Sequence, residues 1–288
     1  MAIYFDSSAC TACKGCQCAC KCWNSLPSPL GLNANEFTHS YQSPMDLNGN
    51  TRLIMRFEEN ESPKKWGVEW SFGRRSCMHC SNPGCASVCP SGALSVDEAT
   101  GFVRVEEDKC IGCRYCETAC PFDVPRYYGP DSKVNKCTAC LDRQENGRAA
   151  QINNGTGVTQ TQFNVPACVH TCPPGALDFG PRDEMIAKAY ERVEFLKNRE
   201  IDPSPHASVY GDKLFDGAGT HVIMVLKYPV ETYGLPVDPK VSPMVDLLGW
   251  MKPLTGLAAA ATVAGLGLSF LTGIGYKRDT LHYDEKKH

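Results

Sequence analysis

The chain has 288 residues, enough for one large domain or two modest ones, and its 29 basic residues nearly balance 32 acidic ones, for a net charge of −3. That balance argues against a nucleic-acid-binding face, which needs a basic surplus. No Walker loop, no GxGxxG after a strand and no Ser/His/Asp pattern stands out, so nothing suggests a substrate site of the chain's own.

In chain order, residues 1–24 carry a first cysteine group, Cys10, Cys13, Cys16 and Cys20. Residues 25–65 are a Pro/Asn/Ser-rich excursion with one predicted strand, Arg52 to Phe57. Residues 66–130 hold a second group, Cys77, Cys80, Cys85 and Cys89, and a third, Cys110, Cys113, Cys116 and Cys120. The fourth group is split into Cys137, Cys140 and then Cys168, Cys172, around a polar stretch at 144–164 that reads as a surface loop, a candidate partner contact. Pro-Ser-Gly-Ala-Leu at 90–94 echoes Pro-Pro-Gly-Ala-Leu at 173–177, which marks internal duplication.

Sixteen of the 18 cysteines thus fall into four groups of four. Three cysteines two residues apart wrap a tight loop around one cubane iron–sulfur cluster, and a fourth, three residues on and often before proline, ligates the other cluster of a pair. Proline follows in Cys89-Pro90, Cys120-Pro121 and Cys172-Pro173, but not after Cys20. A disulfide scaffold would suit a short secreted chain with a higher cysteine fraction. Zinc sites generally use two separated pairs, whereas the first and third groups place three cysteines in one loop. Four clusters, a path for single electrons, are therefore expected, and without iron and sulfide the first 180 residues should not fold. Cys18 and Cys22 are left over and are expected to be buried, inert thiols; a ligand swap or a redox-linked thiol is the sharper alternative.

After Gly180 the cysteines stop. Asp183 to Arg199 reads as a helix capped by Asp183, with Met185, Ala189, Val193 and Leu196 on its apolar face. Val222–Tyr228 reads as an apolar strand, followed by a Pro/Gly/Asp linker from Gly234 to Pro243. Residues 254–274 carry no charge, and a helix of that length spans about 30 Å, the thickness of a bilayer's hydrocarbon core. Trp250 and Tyr276 sit at its ends like interfacial anchors, and Gly256, Ala260, Ala261 and Gly265 suit close packing on another membrane helix. Lys277, Arg278, Lys286 and Lys287 follow the helix against Lys240 and Lys252 before it. The positive-inside rule then places the C-terminus in the cytoplasm and the cluster domain on the periplasmic or outer face. The opening MAIYFDSSAC has no basic start and no apolar run, so an exported domain is expected to travel with a signal-bearing partner. A cytoplasmic-facing domain is the alternative. The organisation expected is α+β, with duplicated ferredoxin-like modules. Residues 1–24 plus 131–180 form one module, 66–130 an inserted one, 181–243 a helix–strand cap and linker, 244–276 a single transmembrane helix and 277–288 a polar tail.

The motifs Cys110-Ile-Gly-Cys113-Arg-Tyr-Cys116-Glu-Thr-Ala-Cys120-Pro-Phe-Asp-Val-Pro-Arg126, Lys136-Cys137-Thr-Ala-Cys140-Leu-Asp-Arg143 and Pro166-Ala-Cys168-Val-His-Thr-Cys172-Pro resemble the four-cluster subunits of molybdopterin oxidoreductases. Within that family the chain most resembles the iron–sulfur (beta) subunit of respiratory membrane-bound formate dehydrogenase. Cys77-Met-His-Cys80 with Pro83-Gly-Cys85, Gly219-Thr-His-Val222 with Tyr233-Gly-Leu-Pro236 and Asp238-Pro-Lys240, and the single C-terminal apolar stretch carry the narrower likeness. The resemblance implies a non-catalytic subunit that passes electrons along four 4Fe-4S clusters. They would run from a molybdopterin (Mo or W) catalytic subunit oxidising formate to a membrane cytochrome b subunit and quinone. Equivalent subunits of hydrogenases or of sulfur-compound or DMSO-type reductases are the alternative. It also implies the ligand sets: Cys10, Cys13, Cys16 with Cys172; Cys137, Cys140, Cys168 with Cys20; Cys77, Cys80, Cys85 with Cys120; and Cys110, Cys113, Cys116 with Cys89. His79, His170 and Lys136 lie beside these cysteines and could tune cluster potentials, though such residues more often pack or face solvent.

Overall fold

The computed structural model describes residues 1–27, 41–62, 67–127, 132–149, 164–241, 245 and 261–268. Its frame is a four-stranded sheet whose central pair is β1 (Ala2–Asp6) and β8 (Val222–Leu226), side by side and parallel, with every residue of both strands buried. Antiparallel edges close the sheet, β6 (Leu177–Gly180) beside β1 and β7 (Ser208–Tyr210) beside β8. Side chains alternate across a strand, so each apolar strand serves two layers. Ala2, Tyr4, Ile223 and Val225 face a core shared with α6 (Arg182–Asn198), while Ile3, Phe5, Val222, Met224 and Leu226 face the cysteine-bearing side.

Met185, Ala189, Val193 and Leu196 of α6 are buried against that sheet, the face the heptad-like spacing predicts. The expected cap is displaced: the helix starts at Arg182 after Pro181, and Asp183 sits with Glu184 in the first turn, where the helix dipole favours carboxylates. The predicted strand 222–228 ends at Leu226, because Lys227 and Tyr228 turn toward Tyr233, whose hydroxyl accepts both backbone N–H groups.

On the cysteine-bearing side, four short helices repeat one design. They are α1 (Gly15–Trp23), α2 (Gly84–Ser87), α3 (Tyr115–Thr118) and α5 (Ala167–His170). Helix α1 packs on α5, and α2 packs on α3. The α2–α3 pair has its own short hairpin, β4 (Leu94–Val96) with β5 (Val103–Val105). Its loop is tied back to the main sheet: His221 N–H donates to the His79 carbonyl at 2.8 Å, and Ser81 N–H to that of Gly219 at 3.1 Å.

A long hairpin, β2 (Leu53–Glu61) with β3 (Val68–Ser76), lies alongside in register from Leu53↔Ser76 to Glu61↔Val68. The predicted strand 52–57 therefore runs four residues further, since pairing with β3 satisfies a backbone whose polar side chains carry no apolar alternation. The stretch at 144–164, expected to be a loop, begins as the end of a helix, α4 (Leu141–Ala149), in which Gln144 is buried and its amide donates to the Ala139 carbonyl at 2.7 Å. Its residues 150–163 lie outside the described residues.

Of the apolar stretch 254–274, residues 261–268 are described; they are helical, and Val263, Leu266 and Leu268 are exposed. The rest of that stretch, Trp250, Tyr276 and the tail lie outside the described residues. Among the described residues no helix is long and apolar enough to cross a membrane.

Candidate metal centres

Each cysteine group opens with the same backbone kink. The residue before the second cysteine is left-handed in all four, at Ala12 (φ 52°), His79 (φ 49°), Gly112 (φ 73°) and Ala139 (φ 52°). Only one of these is glycine, so three side chains tolerate a conformation that is normally disfavoured. The kink turns that residue's N–H inward: Ala12, His79 and Ala139 each donate to the Sγ of the first cysteine at 3.4 Å. In the third group Val134 N–H reaches Cys110 Sγ instead, also at 3.4 Å. The helices then carry the next thiols inward, Cys16 and Cys20 from one face of α1, Cys85 from α2, Cys116 from α3 and Cys168 from α5.

All 18 cysteines are free thiols. Their electrostatic neighbours sort the sixteen into four sets. In set I, Cys10 responds to Cys172 and Cys13, and Cys16 responds first to Cys168 of the next set and then to Cys10 and Cys172. In set II, Cys20 responds to Cys137, Cys168 and Cys140. In set III, Cys80 responds to Cys77, Cys85 and Cys120, and in set IV Cys116 responds to Cys113, Cys89 and Cys110. The sets also form a line: Cys16 neighbours Cys168, Cys77 neighbours Cys137, and Cys85 neighbours Cys116. Among the described residues no three His, Cys, Asp or Glu side chains converge closely enough to hold a single metal ion.

Burial raises most of these thiols. Cys10 is pushed up to about 11 and Cys16 to about 12, chiefly by desolvation, with neighbouring sulfurs adding to it. Cys140 rises to about 12 and Cys168 to about 11 for the same first reason. Cys89 differs: burial opposes ionisation, but the N–H groups of Leu94, Ala93 and Ser91 and the Ser91 hydroxyl outweigh it and lower its pKa. A pocket of buried thiols that resist ionisation becomes favourable when a cation-rich core takes up the thiolates, which is the behaviour of a metal-coupled fold. The donor set fits cubane iron–sulfur clusters: four sulfurs per set and N–H donors aimed at sulfur.

Cys18 and Cys22 are exposed, against the expectation of buried thiols. On α1 they lie two residues from Cys16 and Cys20, about 200° around the helix, so they face solvent when the ligand pair faces inward. Of the three polar neighbours, His170 is exposed. Lys136 is buried, and its ammonium donates to the carbonyls of Val103 at 2.6 Å and Cys137 at 3.0 Å. His79 is fully buried; its Nδ1 accepts from Val103 N–H at 3.0 Å, which places the proton on Nε2. Burial first, then Lys136 and Arg74, holds this imidazole neutral, well below its ordinary pKa.

Sequence reading passed over Tyr127, whose hydroxyl shares a 3.0 Å hydrogen bond with Cys116 Sγ, and Asn24, whose amide donates to Cys20 Sγ at 3.7 Å. It also passed over Arg74 on β3, buried among the thiols of sets I and II. Asn24 lies one helical turn from Cys20, a local signal, whereas only the fold brings Tyr127 and Arg74 to sulfur.

Residues 68–182 match the family model of the 4Fe-4S dicluster domain. The chain is similar to the iron–sulfur subunit of the nitrate-inducible formate dehydrogenase of Escherichia coli, with 38% identity covering 100% of this chain and 90% of the relative. It is also similar to the formate dehydrogenase iron–sulfur subunit of Haemophilus influenzae, at 37% over 93% of this chain and 78% of that one. A more distant likeness, 30% over 82% of this chain and 73% of the relative, is to the Hydrogenase-2 operon protein HybA of Shigella flexneri. A dicluster fold with four sets of thiols and near-complete coverage by these relatives leads to one conclusion: the chain belongs to the family of formate dehydrogenase iron–sulfur subunits.

Proposed function

We propose that the chain is the electron relay of a formate dehydrogenase complex, with the sixteen cysteines of sets I to IV as ligands of four 4Fe-4S clusters. The order of the sets is the observation that carries this reading, because thiols of each set neighbour thiols of the next and so link all four in one path. Each bound cluster would accept and pass on one electron. The protein's part is to hold the sets in line, exclude water from the middle two and bring both ends to the surface. Six of the eight thiols of sets II and III are buried, whereas Cys13 of set I is exposed, as are Ile111 and Tyr115 beside Cys113 of set IV.

Set IV is the end nearer the membrane in this reading. Val241 and Val245 of the segment leading to residues 254–274 pack on Val88 and Ala119, next to Cys89 of set IV and Cys120 of set III. The fit is close: a Cβ at Gly84 would stand 2.8 Å from Val241 Cγ1 and 3.1 Å from the Ala119 carbonyl. Set I would then face a molybdopterin (Mo or W) catalytic subunit, and set IV a membrane cytochrome b subunit. One helix through 254–274 would anchor the chain, with the cluster domain on the outer face and the C-terminus in the cytoplasm. The exposed apolar residues of the described helical turns support that anchor. The likeness to a hydrogenase operon protein favours, as a second reading, the same relay serving hydrogen oxidation.

Purification of the intact complex tests both. About sixteen irons per chain, cubane signals on reduction and formate:dye activity are expected. Activity with hydrogen alone would replace the formate reading by the second, and a complex without reducible cubanes would remove the relay itself.

A further inference from the structure

Arg74 sits two residues from the end of β3, 2% exposed, and none of its three guanidinium nitrogens has a hydrogen-bond partner among the described residues. It forms no ion pair with a carboxylate there either, unlike its neighbour Arg75, which bonds Asp46. A permanently charged group is buried in this way only where anions surround it. The groups acting on it most strongly are the thiols of Cys137, Cys168, Cys16 and Cys20, three from set II and one from set I. Five N–H donors in a rigid fork are thus left free among sulfurs. Lys136, the other buried cation nearby, differs because its ammonium is taken up by two backbone carbonyls.

On the four-cluster reading, we propose that Arg74 is a positioning residue for electrons: its guanidinium donates to sulfurs of the set II cluster and makes it the member of the line most easily reduced. A fixed positive charge and N–H···S bonds both stabilise the added negative charge. With clusters bound, the electron arriving at set II would be the one lost by an adjoining cluster. No proton accompanies it through Arg74, because a guanidinium does not deprotonate in a protein. The middle of the line then holds an electron while either end exchanges with a partner.

The test is an EPR-monitored redox titration of the intact complex carrying wild-type chain, Arg74→Gln or Arg74→Lys, with iron counted in each. Arg74→Gln is expected to keep its iron and to weaken the electron affinity of one of the four clusters at least tenfold, about 59 mV for a one-electron step. Arg74→Lys, which keeps the charge but loses the fork, should shift the same cluster less. Full iron with four unshifted clusters in Arg74→Gln overturns the proposal. If Arg74→Gln loses iron, Arg74→Lys decides: recovery of iron with a smaller shift supports it, and equal loss shows a packing role and overturns it. A wild-type complex lacking four reducible clusters would overturn the four-cluster reading on which the proposal stands, before any variant is compared.

Discussion

The two helix pairs that hold the thiols carry the same cysteine spacing but rest on different foundations. The α1–α5 pair hangs from a sheet whose far face is sealed by α6, with Ala2, Tyr4, Met185, Ala189, Val193, Leu196, Ile223 and Val225 forming a conventional apolar core. The α2–α3 pair has a short hairpin and two small buried clusters, Ala93, Leu94, Val103 and Val134 beyond the cysteines, and Val88 and Ala119 with Val245. Equal metal chemistry can therefore be mounted on a self-supporting scaffold or on one that depends on the metal. The difference lies in how much apolar area each half removes from water.

Removing iron should break this comparison most visibly. Chelation under reducing conditions is expected to abolish amide protection across Leu94–Val105, while Tyr4, Ile223 and Val225 stay protected by the α6 core. Simultaneous loss in both halves would mean that the clusters, not the apolar core, hold the whole chain. Next in size, Leu196→Ala opens a cavity in a fully buried position and should cost about 2–5 kcal/mol in denaturant unfolding. That loss should leave the spectra of sets III and IV unchanged; a change there would show that the halves are coupled through the sheet.

Asp6→Asn is expected to cost about 1–3 kcal/mol. The Asp6 carboxylate accepts from Ser8 N–H at 2.8 Å, Ser8 Oγ at 2.6 Å and Arg192 Nε at 2.7 Å, and so shapes the turn into Cys10. Iron of set I should then be the first lost in chelator time courses. The smallest effect is a pH dependence of the β2–β3 side. Burial opposes ionisation of Asp46, but hydrogen bonds from Arg75 and Leu47 and the charge of Arg126 hold it below its ordinary pKa. A carboxylate lowered in the folded state stabilises above its unfolded pKa of about 3.9, and that contribution fades as pH falls through the folded value. Hydrogen exchange of β2–β3 after brief pulses between pH about 3 and about 5 should show the loss, and Asp46→Asn should flatten it.

Much of this was legible because it is local. Ligand spacing needs only neighbouring residues, and so does the apolar face of α6, whose four predicted residues are the ones buried. The repeated left-handed kink was not legible, since Ala12, His79 and Ala139 carry no glycine to announce it. Strand β3 went unmarked because the alternation of Val68, Trp70 and Phe72 with Glu69 and Ser71 stops at Gly73, Arg74 and Arg75, and pairing with β2 carries the strand on to Ser76. Cys18 and Cys22 were assigned to the interior by composition, yet a nine-residue helix cannot turn all of its cysteines inward.

The sequence by itself determined the chemistry: sixteen thiols in four groups, three of them confined to a few residues of chain and the fourth split around 144–164, in the spacing of one kind of metal centre. Tertiary structure alone decided how those groups divide and line up. Bringing Cys172 to Cys10 and Cys20 to Cys137 depends on α1 packing against α5 and on β1 pairing with β6 and β8, contacts that span most of the chain. The same packing carries Arg74 on β3 into the space among those thiols. Short-range spacing can specify a ligand, but only long-range burial can specify what surrounds it.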